Sequence, residues 1–206
     1  KYFGGPDIEN ADELVLTDDG GFLVIGTSRY GFYSSTLFLI KTDSVGNQMW
    51  AKTYNTSALR KTYPGRVYQL SSGGYIVSGT TTASGQPLSD VLLMRLDDTG
   101  NIIWQKIFIT GEGDRAEDML IDENANYILC GSTAISSSLG FRDALVMRID
   151  SSGNFINAYD LGIDTEDETA DNLLFNDQHE LIFSGFIYGQ GLGETDIFIF
   201  QADKNY

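Results

Sequence analysis

The chain has 206 residues, with 29 acidic and 13 basic side chains and a formal net charge of −16. That balance, with no basic stripe, argues against a nucleic-acid partner and against docking on anionic lipid. Hydrophobic residues at 42% supply a core and exclude disorder, and 23 glycines against 3 prolines point to tight turns rather than linkers.

In chain order, the first 54 residues read as four short strands, over 13–17, 22–27, 37–42 and 48–54. The turn signals between them are Asp19-Gly20-Gly21 and Asp43-Ser44-Val45-Gly46-Asn47. A glycine there supplies the positive φ that a bulged type I hairpin requires. The same unit then recurs. The segments GGFLVIGT, GGYIVSGT, NYILCGST and ELIFSGF share glycines at Gly26, Gly79, Gly131 and Gly185, spaced by 53, 52 and 54. A second block, LFLIKTD, VLLMRLD, ALVMRID and IFIFQAD, ends at Asp43, Asp97, Asp150 and Asp203, spaced by 54, 53 and 53. Two independent markers with one period establish a repeat. The third strand of each unit is nearly all apolar, so it is expected to be covered on both faces. No stretch shows helical periodicity with caps.

Four-stranded units of this length predict an all-β fold, a β-propeller whose blades bury their faces against their neighbours. A β-sandwich or part of a larger propeller are the alternatives. One domain over 1–206 is expected, with repeats at about 4–54, 55–108, 109–161 and 162–206. Lys1-Tyr2-Phe3 aligns with Lys52-Thr53-Tyr54 and Lys106-Ile107-Phe108, the end of a fourth strand, whereas the last repeat stops before its own. The preferred reading pairs residues 1–3 into the last blade and closes a four-bladed ring; the rival is a slice of a longer array. A monomer is expected.

The repeat resembles the β-propeller repeats of secreted proteins and surface lipoproteins of bacteria. The resemblance rests on D-G-G-[FY]-x-V-x-G followed by D-x-x-x-x-[KR]-x-D-x-x-G-N-x-x-W-x-K-x-[FY]. It runs through Gly20, Gly21 and Phe22, and through Asp90, Arg95, Asp97, Gly100, Asn101, Trp104, Lys106 and Phe108. It weakens where Gln178-His179-Glu180 replaces the glycine turn, Gln201 the basic residue, Thr36 the aspartate and Asn157 the tryptophan. The resemblance implies the fold and an extracytoplasmic setting, and it implies no defined activity. The chain opens with Lys1, so any signal peptide or lipid anchor is expected outside it; no apolar run approaches the ~18 residues of a membrane-spanning helix.

Catalytic chemistry finds little support. His179, the one histidine, stands where the other repeats have a hairpin glycine or asparagine and reads as an exposed turn residue. Cys130 occupies the slot of Ile25, Ser78 and Ser184 and reads as a buried, inert thiol. No disulfide can form within the chain, and no zinc cluster or His-containing triad has local support. Asp164-Thr165-Glu166-Asp167-Glu168 reads as a solvated acidic loop whose spacing fits no EF-hand. No metal or cofactor is expected. Lys41, Arg95 and Arg148 each precede an aspartate by two, on one strand face, and read as ion-paired to it. Lys1, Lys52 and Lys106 read as edge lysines, and Trp50 and Trp104 as packing between blades.

Binding residues are expected on the long loops between second and third strands, at 28–35, 81–89, 132–142 and 187–195, all rich in Ser, Thr and Gly. Arg29, Tyr30, Phe32, Tyr33, Phe141, Arg142 and Tyr188 are the candidates, since aromatic platforms beside hydroxyls and cations suit a sugar or a peptide. The expected function is a non-catalytic binding or scaffold module of the bacterial surface or periplasm, with a carbohydrate or protein ligand. The runner-up is a glycan-active hydrolase or lyase using loop carboxylates. Convergent carboxylates with raised pKa would favour the enzyme.

Overall fold

Alternating apolar residues form antiparallel strands throughout. The computed structural model describes residues 1–29, 35–54, 60–83, 88–111, 113–134, 141–162, 166–188 and 194–202. These residues carry β1 (Ile8–Leu16), β2 (Phe22–Arg29), β3 (Thr36–Thr42), β4 (Gln48–Tyr54), β5 (Arg60–Gln69), β6 (Tyr75–Ala83), β7 (Ser89–Leu96) and β8 (Ile102–Phe108). They continue with β9 (Arg115–Ile121), β10 (Tyr127–Ala134), β11 (Arg142–Ile149), β12 (Phe155–Leu161), β13 (Glu168–Phe175), β14 (Leu181–Tyr188) and β15 (Thr195–Ala202). The strands make four up-and-down sheets, β1–β4, β5–β8, β9–β12 and the three-stranded β13–β15. The chain divides into two compact units, Lys1–Ile107 and Phe108–Tyr206. Among the described residues no helix is long and apolar enough to cross a membrane.

The four strands expected in the first 54 residues are present, and several run further than their patterns foretold. β2 and β6 extend into the segments read as long loops, because the ladder continues through Ser28↔Thr36 and Thr82↔Ser89. Hairpins of one design close the ladders. In 43–47 the amide of Asp43 donates to the carbonyl of Asn47 at 2.9 Å, and the Asp43 carboxylate accepts from the amides of Val45 and Asn47. The fourth residue of each turn needs positive φ, supplied by Gly46 at 78°, Gly100 at 76° and Gly153 at 80°. His179 takes that slot at 59° and is exposed, as its place in the sequence indicated.

The repeated glycine of each second strand has a different cause. The first strand of every sheet carries a bulge or register shift opposite it, between Ala11 and Glu13, Pro64 and Val67, Ala116 and Asp118, and Ala170 and Asn172. A Cβ on Gly26, Gly131 or Gly185 would overlap the carbonyl oxygen of Asn10, Arg115 or Thr169 on the bulging strand. The glycine permits that close approach.

Within each unit, sheets stack by one rule. Leu23, Ile25, Leu37 and Leu39 of the first sheet pack against Tyr75, Val77, Leu92 and Met94 of the second. Ile128, Cys130, Ala144 and Val146 of the third pack against Leu181, Phe183 and Phe198 of the fourth. One face, which includes the odd-numbered residues of β3, thus covers the opposite face of the following sheet. Carboxylates reinforce the stack: Glu13 accepts the amide of Val67 at 2.8 Å, and Asp118 accepts that of Leu173 at 2.8 Å.

The fourth strand grips the next sheet's turn. Trp50 donates to the carbonyl of Asp98 at 3.3 Å, Lys52 to Asn101 Oδ1 at 2.6 Å, and Tyr54 to the carbonyl of Gly100 at 2.8 Å. The expected role of Trp50 between sheets is therefore met, and Lys52 is a ligand of a turn rather than only an edge charge. Residues 1–3 carry no strand, and β15 pairs only with β14 among the described residues. Instead, Lys1 donates to Asn47 Oδ1, the turn of the first sheet, as Lys52 does to the second. That side-chain bond holds residues 1–3 beside the first sheet.

The expected pairing of the third-strand bases with the aspartate two residues on is corrected. Lys41 pairs with Asp19 at 2.7 Å and Arg148 with Asp122 at 2.7 Å, while Arg95 donates to the carbonyl of Gly73 at 2.6 Å. Asp43, Asp97 and Asp150 are engaged by their own turns, so the base reaches across the sheet to the other hairpin. Gln201 keeps the geometry without charge, donating to Glu180 at 2.6 Å.

Candidate functional site

Of the expected site residues, Tyr30, Phe32 and Tyr33 lie outside the described residues. Arg29 and Tyr188 end β2 and β14, three residues past their repeat glycines, and both are exposed. In the second unit Asp167 brings Arg142 and Tyr188 to one end of the sheets. Its carboxylate accepts the amide of Arg142 at 2.7 Å, and its carbonyl accepts the amide of Tyr188 at 2.9 Å. The Tyr188 ring, 47% exposed, stands edge-on to Phe186 at 5.2 Å. This aromatic pair sits on paired strand rather than on a loop. Phe141, half-buried, directly precedes β11.

Arg142 differs from expectation. Its guanidinium donates to the carbonyl of Gly113 and to Ser132 Oγ at 2.9 Å, so it pins the preceding strand connection instead of presenting a free cation. Burial, aided by Arg115, lowers its pKa. Fully buried Asp114 braces the same corner, accepting Thr133 Oγ1 at 2.6 Å and the amide of Thr110 at 2.6 Å. The acidic run is also not uniformly solvated: Asp164 and Thr165 lie outside the described residues, Asp167 is tied down, and Glu168 is buried. Gly162 separates Glu168 from buried Asp143, and a Cβ on it would collide with both carboxylates.

A second group escaped the sequence reading. The bulged first strands place an acidic residue at one slot in three sheets: Asp12, Glu117 and Asp171. Burial pushes the Asp171 carboxyl above its ordinary value, with Glu117 adding like-charge repulsion. Burial also raises Asp12, while Arg29 pulls it back. The signal was present as A-D-E-L, A-E-D-M and A-D-N-L at residues 11–14, 116–119 and 170–173. It is a repeat motif in its own right, but polar strand residues carry no mark of a bulge.

Cys130 is buried, and its burial raises the thiol pKa well above the ordinary value, consistent with an unreactive side chain. His179 lines a polar groove with Asp122, Asn124 and Arg148 at the hairpin end of the second unit. Among the described residues no group of three or more His, Cys, Asp or Glu is arranged to hold a metal ion.

No family model matches the chain, and no curated protein matches it. Among solved structures it is similar to one described as "Crystal structure of the eukaryotic initiation factor", at 8% identity and a TM-score of 0.35. The match covers 94% of this chain and spans 58% of that protein's length. A likeness at this level carries no functional argument.

Proposed function

We propose that the four sheets are propeller blades and that the chain is a non-catalytic binding or scaffold module of the bacterial surface or periplasm. Its ligand is a carbohydrate or a protein, met at the long-loop end. The Phe186–Tyr188 pair, half-buried Phe186 against exposed Tyr188 on β14, with the Tyr188 amide donating to the Asp167 carbonyl, is the observation that carries this reading. A rigid aromatic edge next to a carboxylate offers stacking area at little entropic cost and a hydrogen-bond acceptor to orient a hydroxyl or amide. The repeat motif's resemblance to secreted and lipoprotein repeats supports the location. Net charge −16 supports a ligand other than nucleic acid.

Glycan and peptide arrays, followed by calorimetry on any hit, test the proposal. Tyr188→Ala is expected to weaken binding about tenfold or more, equivalent to ~1.4 kcal/mol, with an unchanged melting temperature. Binding that ignores this substitution overturns the assignment of the site.

Asp171 and Glu117 favour a second reading, a glycan-active enzyme, because paired carboxylates with one pKa raised are the equipment of acid–base cleavage. Release of reducing ends from a polysaccharide panel, lost on Asp171→Asn, would replace the binding module with this enzyme.

A further inference from the structure

The contact between third and fourth sheets, inside the second unit, departs from its counterpart inside the first. Between the first and second sheets the contact is closed: Leu37, Tyr54, Thr62, Val77, Leu92 and Met94 are each at most 5% exposed. Strand register puts Ala144, Leu161, Glu168, Phe183, Phe198 and Phe200 in the same slots of the second unit. There they line a cleft of about 310 Å³, together with Gly162 and Ile187. Two of the changes draw back the third-sheet wall: Ala144 stands for Leu37, and Leu161 for Tyr54, whose hydroxyl reaches the Gly100 carbonyl in the first unit. The fourth-sheet wall becomes aromatic instead. Phe183 and Phe200 lie nearly parallel with ring centres 5.7 Å apart, and Phe198 stands edge-on to each at 6.3 Å.

The remaining change is one of charge. Glu168 takes the slot of Thr62, so a carboxylate only 4% exposed enters an otherwise apolar lining. Asp143 approaches from the third sheet: its carboxylate and that of Glu168 close on the single point that a Cβ on Gly162 would occupy, and glycine leaves room for both. Asp196, opposite Ile187 on the same sheet face, adds a carboxylate whose Oδ2 is buried and meets no hydrogen-bond donor among the described residues. Among the described residues no Lys, Arg or His lines the cleft. A carboxylate set in an apolar wall attracts a cation more strongly than one in water, because the low dielectric screens it less.

We propose that this cleft binds a small organic cation, an ammonium group carried on an aromatic or branched apolar body. The body packs against Phe183, Phe198 and Phe200, and the ammonium donates to the Glu168 carboxylate while the ring faces add cation–π attraction. Charge complementarity selects the cation over a neutral or anionic analogue, and a net charge of −16 raises the local concentration of cations. The rings select an organic cation over a metal ion, which needs several oxygen ligands in place of an apolar wall. The cleft is separate from the aromatic pair at Tyr188. Phe186 and Tyr188 project from one face of β14, and Phe183 and Ile187 from the other, so this site stands independently of the carbohydrate or protein reading.

A heteronuclear NMR titration of the full chain with phenethylammonium, read at the amides of Glu168, Ile187 and Phe198, tests the site. Saturable shifts at these amides are expected. Phenethyl alcohol and hydrocinnamate keep the ring but remove or reverse the charge, and each should bind about tenfold more weakly or worse. Glu168→Gln should erase most of that preference, bringing amine and alcohol within about threefold. Ala144→Leu and, separately, Leu161→Tyr restore the side chains of the first unit and should weaken binding about tenfold with unaltered circular dichroism. The two filling variants lie on different strands, so one remains readable if the other disturbs folding. The proposal is overturned by an alcohol that binds as tightly as the amine, or by an amine affinity that survives both filling substitutions. A Glu168→Gln variant that keeps the preference, or the absence of saturable shifts at these amides, overturns it equally.

Discussion

Ile197 and Ile199 of β15 occupy the same repeat positions as Leu37 and Leu39 of β3, Val91 and Leu93 of β7, and Ala144 and Val146 of β11. Six of these eight side chains are at most 4% exposed, while the two isoleucines are 84% and 73% exposed. Their strands are alike in composition and paired in the same register to a second strand with the same glycine. The difference lies outside the strand. β3 is flanked by β4 and stacked on the second sheet, whereas β15 has a strand partner on one side only among the described residues. Burial of an apolar third strand is thus a property of the stack, contributing about 25 cal/mol per Å² only where a neighbour removes the area from water.

The sharpest way to break this comparison is a matched pair of truncations. Leu39→Ala removes a fully buried side chain and should cost about 3 kcal/mol, whereas Ile199→Ala in dilute protein should fall within about 0.5 kcal/mol. Urea melts of both variants measure the gap. Equal losses would mean that β15 is covered in solution by something within one chain.

The glycines provide a control in which the two sheets should agree. The close approach at Gly26 and at Gly185 is made inside each sheet and owes nothing to neighbours. Alanine at either position should therefore cost a similar amount, about 2 kcal/mol, through displacement of the bulged strand. A much smaller loss at Gly185 would show that the last sheet's own bulge is loose.

The smallest effect concerns the bulge carboxylates, which separate the units by their surroundings. Asp12 has Arg29 to offset its burial, while Asp171 faces Glu117. A carboxyl whose folded pKa is raised keeps its proton more tightly when folded, so stability is lost as pH rises from the ordinary value of 3.8 through the raised one. Asp171→Asn should melt above wild type beyond that window and coincide with it below pH 3.8, with a smaller separation for Asp12→Asn. A gap that is constant with pH would trace to packing rather than ionisation.

Local chemistry made much of this molecule legible before any coordinates. Alternation, hairpin glycines and a repeat near 53 residues determined the strands, the turns and the positions of His179 and Cys130, because φ requirements and side-chain period act over a few residues. The tertiary structure alone decided what each repeated residue touches. Lys41 and Arg148 reach a hairpin over 20 residues away rather than the aspartate two positions on, and Arg142 is committed to Gly113 and Ser132. The repeat glycine marks a bulge in a neighbouring strand, and the W-x-K-x-Y run of β4 marks a turn in the following sheet. Those partners lie across a sheet or between sheets, where distance along the chain says nothing about distance in space. The exposed isoleucines of β15 follow from the same cause, since an apolar pattern states which face seeks cover and only the stack determines whether cover is there.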